Sequence, residues 1–194
     1  GTVSNCLVRA SICCVIATKQ FETVPEAEAQ GAIMMTWLTN QLADDTRPRL
    51  EKRGITDIDP TGWYNFQTFL DVMSEIVKSK QNVSMTLVAV GKGVVENLPL
   101  EDFPSIEDFQ AFVENLHGAS VRNMPETESH IVIQEDTNIY IVNNTPVSND
   151  LMYGFWWEML RLYSIGGIKY RPIPHQDYPS NEVGTIFLLQ PEKR

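Results

Sequence analysis

A chain of 194 residues, 43% hydrophobic and 21% charged, has the make-up of one globular domain and argues against a disordered or fibrous chain. Its formal charge of −10 argues against nucleic acid or an anionic membrane as a direct partner, because neither can be held without a dense basic patch. The densest candidate, Arg47, Arg49, Lys52 and Arg53, is offset by Asp44, Asp45 and Glu51.

Residues 5–18 are rich in β-branched and small apolar residues without helical period, which predicts a strand. Cys6, Cys13 and Cys14 all fall in this stretch. An odd, clustered set is no disulfide framework, so buried free thiols and a reducing, cytoplasmic setting are expected. The run Ile12-Cys-Cys-Val-Ile-Ala17 is far shorter than the roughly 20 apolar residues that span a bilayer, and it lacks the basic start of a signal peptide. Pro25 with Glu26 and Glu28 predicts a helix start, and Ile33, Met34, Trp37, Leu38 and Leu42 follow helical spacing. Asp44-Asp45-Thr46 reads as a break and a new cap, with Gly54 closing the second piece.

Asp59-Pro-Thr-Gly62 is a turn that launches the clearest helix, with Phe66, Phe69, Leu70, Met73, Ile76 and Val77 in one stripe. Trp63 stands just before that stripe and is expected to anchor the helix start in the core. Residues 83–97 fit a helix less well, since Gly91 and Gly93 weaken a helix interior. Ser105 caps a further helix that His117-Gly118 ends. Ile131–Ile133 and Ile139–Val142 predict a hairpin, Asn149 a helix that Gly166-Gly167 stops, and residues 168–173 and 184–190 two more strands. With no repeat and no long linker, residues 1–194 read as a single α+β domain: N-terminal helices packed on a mostly antiparallel sheet, with a C-terminal β-β-α-β-β unit.

No complete catalytic or metal-binding motif is present, and no triad or acid–base pair can be named, which leans against an enzyme. His175-Gln-Asp177 supplies too few ligands for a closed metal site, and His130 reads as a solvated edge residue. His117, in the last turn of a helix, suits an imidazolium that stabilises its own helix, or an axial haem ligand. The unusual feature is aromatic. Trp156 and Trp157 are adjacent and point about 100° apart on a helix, so both need cover. With Trp37, Trp63 and Phe155 they are the candidates for an apolar ligand pocket or a homodimer interface.

Two stretches carry a family resemblance. One runs from Gly54-Ile-Thr-Asp-Ile-Asp-Pro60 through Trp63-Tyr64 and Phe69-Leu70-Asp71 to Leu87-Val-Ala-Val-Gly91. The other leads from Asn144-Thr-Pro146 through Asp150 and Tyr153-Gly154 into an aromatic helix and a final hairpin. Over residues 27–190 the chain resembles the ligand-binding superfamily shared by haem–nitric-oxide sensors, 4-vinyl-reductase-like domains and Golgi-trafficking-complex subunits. The resemblance implies helices on an antiparallel sheet around an apolar pocket, and matches His117 in Asn115-Leu-His117 to the proximal haem ligand. The Tyr-x-Ser-x-Arg clamp for the haem propionates has Tyr140-Ile-Val-Asn-Asn144 in its place, without serine or arginine, and the cysteine zinc ligands of some relatives are missing too. The leading expectation is therefore a non-catalytic cytoplasmic sensor or binding module that takes an apolar small molecule or a protein partner, or relays a signal through a dimer. Its alternatives are a haem-based gas sensor through His117 and a structural interaction subunit without a small ligand.

Overall fold

The computed structural model describes residues 20–38, 42–96, 98, 100–125, 128–135, 138–174 and 185–192, and for Trp37, Leu38, His117, Glu135 and Thr185 the backbone alone. The expected strand at 5–18, the three cysteines and the His175–Asp177 loop lie outside the described residues.

The fold is α+β, with every sheet pairing antiparallel. Strand β1 (Glu28–Gln30) leads directly into helix α1 (Gly31–Leu38). The helix expected from Pro25 thus begins later, because β1 has ladder partners on both edges: β2 (Trp63–Asn65) and β3 (Val121–Arg122). Strands this short carry too few residues for a period to show. Helix α2 (Ala43–Glu51) holds Asp44 and Asp45 in its first turn, where the dipole favours acids.

The turn before β2 forms as its sequence demands: Gly62 N donates to Asp59 O at 3.0 Å, and the Asp59 carboxylate accepts from Thr61 N at 2.8 Å. Helix α3 (Phe66–Ser79) then starts with the Asn65 side chain accepting from Thr68 N at 3.0 Å. Its anchor is Phe66, which is buried and whose N–H donates to Ala27 O at 2.8 Å. Trp63, expected in the core, is only half-buried, and lies under the Arg122 guanidinium 4.3 Å from the ring centroid. That guanidinium also donates to Glu28 at 2.7 Å, so the tryptophan braces the small sheet from its surface.

Helix α4 (Val83–Glu96) contains Gly91, and helix α6 (Asn149–Leu162) contains Gly154. A Cβ on Gly91 would stand 2.0 Å from Leu151 O, and one on Gly154 would stand 2.0 Å from Val88 O. The two helices therefore cross backbone on backbone, each glycine facing the other helix. Helix α5 (Ile106–Ser120) has Ser105 Oγ accepting from Asp108 N at 3.2 Å. It runs past His117-Gly118 straight into β3, so those two residues do not end it.

The larger sheet has the order β4 (Ser129–Glu135), β5 (Asn138–Asn144), β7 (Thr185–Pro191), β6 (Tyr170–Pro174). The prolines at 172 and 174 are tolerated because β6 is an edge strand. Ile139 and Ile141 of β5 join the main core, whereas Tyr140 and Val142 join a second cluster with Ile186 on the opposite face. Helix α6 starts after Ser148, one residue away from the expected Asn149 cap. Gly166 and Gly167, with φ of 58° and 75°, form a turn between Ile165 and Ile168 rather than the helix stop.

Alanine normally stabilises a helix interior by about 1 kcal/mol over glycine. At this crossing the sign reverses: Gly91→Ala and Gly154→Ala are expected to lower stability by about 1–3 kcal/mol through overpacking. Gly93→Ala, where a Cβ meets nothing within 4 Å, raises it by about 0.5–1 kcal/mol. Urea titration of the three variants checks the opposite signs.

Candidate functional site

The crossing sets the walls of a cavity. Leu151 and Phe155, the α6 residues whose backbone Gly91 abuts, face it, and Val94 of α4 stands beside them. Ile33 of α1, Phe66 of α3, Leu116 of α5 and Val121 of β3 supply most of the remaining hydrocarbon. Its volume is about 150 Å³. Ser120, His130 and Thr145 are the polar residues of the lining, and among the described residues no charged side chain lines the space.

His130 is thus not the solvated edge residue that its sequence position suggests. It is buried on β4 opposite Asn143, and its ring meets Trp156 edge-on at 5.5 Å. Sequence alternation could not find it, because β4 carries apolar residues on both faces: Val132 packs on the main core and Ile133 on the second cluster. Thr145 and Val147, just past β5, continue the inward alternation of Ile139 and Ile141 and reach the cavity. Among the described residues, Thr145 Oγ1, both amide atoms of Asn143 and Trp156 Nε1 are buried without a hydrogen-bond partner. Such groups cost about 1–3 kcal/mol each when left unmatched.

Among the described side chains, the expected site residues do not converge on one place. Phe155 lines the cavity. Trp156 stands behind it, fully buried, with Phe155 at 4.9 Å and Phe109 at 6.3 Å. Trp157 points elsewhere, half-buried beside Tyr153 at 6.0 Å with the Lys92 ammonium 5.6 Å from its ring centre. Both adjacent tryptophans therefore find cover within the chain. Trp63 lies on the small sheet, and the side chains of Trp37 and His117 fall outside the described ones. The His117 backbone follows Leu116, a cavity residue.

Comparison with known proteins finds no matching family model and no matching curated protein. Among solved structures, the chain is similar to a mutant H-NOX protein from K. algicida, crystallised in its Fe(II) unliganded form, with a TM-score of 0.52 and 14% identity. The match covers 84% of this chain and 97% of that one. The fold is H-NOX-like. A fold of this kind carries its function only in the site, and the site here differs from a haem pocket.

Haem does not fit the residues present. A volume of about 150 Å³ falls short of the roughly 300 Å³ at which pockets for drug-sized ligands begin. The Tyr140–Asn144 stretch matched to the propionate clamp has Tyr140 and Val142 on the sheet face away from the helices. The positions at the same spacing that do face the cavity side are Asn143, Thr145 and Val147, which keep a hydroxyl and lack the arginine. No cluster of three or more His, Cys, Asp or Glu among the described residues could hold a bare metal ion either.

One ion pair stiffens α6 beyond the cavity. Glu158 is buried and receives bonds from Arg161, whose Nε donates at 3.0 Å. The hydrogen bond from Arg161, followed by its charge and that of Lys92, holds the Glu158 carboxyl below its ordinary range despite burial. A lowered carboxyl contributes stability that is present above the unfolded-state pKa and lost as pH falls through the folded-state value. The melting-temperature gap between wild type and Glu158→Gln is therefore expected to be open at pH 7 and to close below about pH 4. Thermal melts across that range check the closure.

Proposed function

We propose that this chain is a non-catalytic, cytoplasmic binding module of the sensor type, holding a small apolar molecule in the cavity between α1, α5, α6 and the inner sheet face. The observation that carries this reading is the cavity itself: hydrocarbon from six helical and strand elements converges on it, with no charged lining group among the described residues. Its volume of about 150 Å³ equals that of an engineered apolar cavity known to stay dry and to bind benzene or xenon. The H-NOX-like fold supports the sensor part of the reading, and the clustered cysteines support the reducing compartment.

The geometry also supports a route for a signal. A ligand against Leu151 and Phe155 presses on the same α6 turns that Gly91 touches, so occupancy bears directly on the α4–α6 crossing. A ligand that binds better to one spacing of the two helices shifts the chain toward it.

Native mass spectrometry of the purified protein, followed by thermal melts with added benzene, tests the proposal. Wild type is expected to gain melting temperature with benzene concentration, as any ligand selective for the native state requires. Leu116→Trp, which fills the cavity from α5, is expected to lose that gain. A benzene response unchanged in Leu116→Trp, or none in wild type, would move the chain to the structural-subunit alternative.

A further inference from the structure

A second, larger hollow shares no lining residue with the cavity. It is a half-open cleft of about 660 Å³ at the start of α4 and α6, within the range of small-molecule sites. Val88, against whose carbonyl Gly154 packs, lines it, and Phe21, Tyr153 and Phe187 give it aromatic walls. Phe21 has a φ of 64°, a left-handed conformation that costs a bulky residue and persists only where its surroundings fix it. Here both sides are tied: Phe21 N donates to Pro146 O at 2.8 Å, and Phe21 O accepts from Gln67 Nε2 at 2.9 Å.

The polar wall is unlike that of the cavity. Ser148, just before α6, has only 4% of its surface exposed. Its side chain makes no cap bond and has no other hydrogen-bond partner among the described residues. Thr145 Oγ1 is sealed off, whereas the Ser148 hydroxyl is not, and the space that Ser148 lines is this cleft. Beside it the half-buried Asp150 carboxylate accepts from Ser84 Oγ at 2.6 Å, a bond between two lining residues that joins α6 to α4. Among the described residues Asp150 is the charged group of the lining, with no lysine or arginine there to answer it. The α6 dipole places about half a positive charge at this end, and the full negative charge of Asp150 outweighs it.

We infer that this cleft is a second ligand site, for a compact aromatic amine whose ammonium donates to the Asp150 carboxylate and the Ser148 hydroxyl. The aromatic body lies against Phe21, Tyr153 and Phe187, whose ring faces also favour a nearby cation. An anion of the same shape meets Asp150 with like charge, and a neutral head forgoes the charge-assisted bond. The site stands apart from the cavity and does not depend on the cavity holding a ligand.

Isothermal titration calorimetry of the full chain at pH 7 with phenethylamine, 2-phenylethanol and 3-phenylpropanoate tests it. Phenethylamine is expected to bind about tenfold tighter than 2-phenylethanol, the worth of one charge-assisted hydrogen bond, and 3-phenylpropanoate more weakly than both. Asp150→Asn keeps an acceptor for Ser84 and is expected to bring the amine down to the alcohol, with the alcohol unchanged. Ser148→Ala is expected to weaken the amine about threefold. Leu116→Trp, which fills the cavity instead, is expected to leave amine binding intact. If no probe binds wild type, or if amine and alcohol bind equally, the inference falls. An amine preference that survives in Asp150→Asn overturns the role of Asp150. Loss of amine binding in Leu116→Trp places the probe in the cavity and overturns the second site. Should Asp150→Asn not fold, the wild-type order with Ser148→Ala and Leu116→Trp still decides the matter.

Discussion

The contact on which the rest of this structure depends is the crossing of α4 and α6 at Gly91 and Gly154. Each glycine faces a carbonyl of the other helix at a distance no side chain could share. Helices normally pack 8–10 Å apart because side chains hold them there. Removing the side chain at both contact points brings the backbones together and fixes the height of α6 over the sheet. That height decides where Leu151 and Phe155 sit, and so whether a cavity exists between α6, α5 and the end of β5.

A second constraint comes from how polarity is distributed inside. The core around Trp156 is densely aromatic, with Phe109, Phe155 and His130 about the indole. Of the buried carboxyls, Glu158 on α6 is answered by Arg161, which is itself 58% exposed, and Glu128 accepts from Thr23 Oγ1 at 3.0 Å. Among the described residues, the unmatched polar atoms include those of Asn143 and Thr145 on one strand face and Trp156 Nε1 on α6.

Much of the architecture was legible in the residues. The stripe from Phe66 to Ile76, the hairpin at 131–142 and the α+β order all follow from period and turn chemistry that act locally. Three of the misreadings share one cause, a partner distant in sequence. Gly91 looked like a cost because Leu151, which requires it, lies sixty positions on, as the numbering shows. Glu26 and Glu28 looked like a helix start because the pairing of β1 with residues near 64 and 121 has no local signature. Trp63 was expected in the core from its place between a turn and the helix stripe, and the cation that covers it comes from distant Arg122. At the site, the aromatic residues were easy to notice and mostly prove to be core. The polar side of the cavity, His130 and Thr145, was hidden because β4 and β5 bury apolar residues on both faces, leaving no alternation to read.

On the proposed reading, the space between α5, α6 and the end of β5 is an accessible apolar site. Crystals of the protein pressurised with xenon test this most directly, since xenon marks dry hydrocarbon cavities without needing a chemical match. A xenon atom is expected in contact with Leu116, Leu151 and Phe155. Xenon bound only elsewhere, or electron density showing this space closed by repacked side chains, would contradict it.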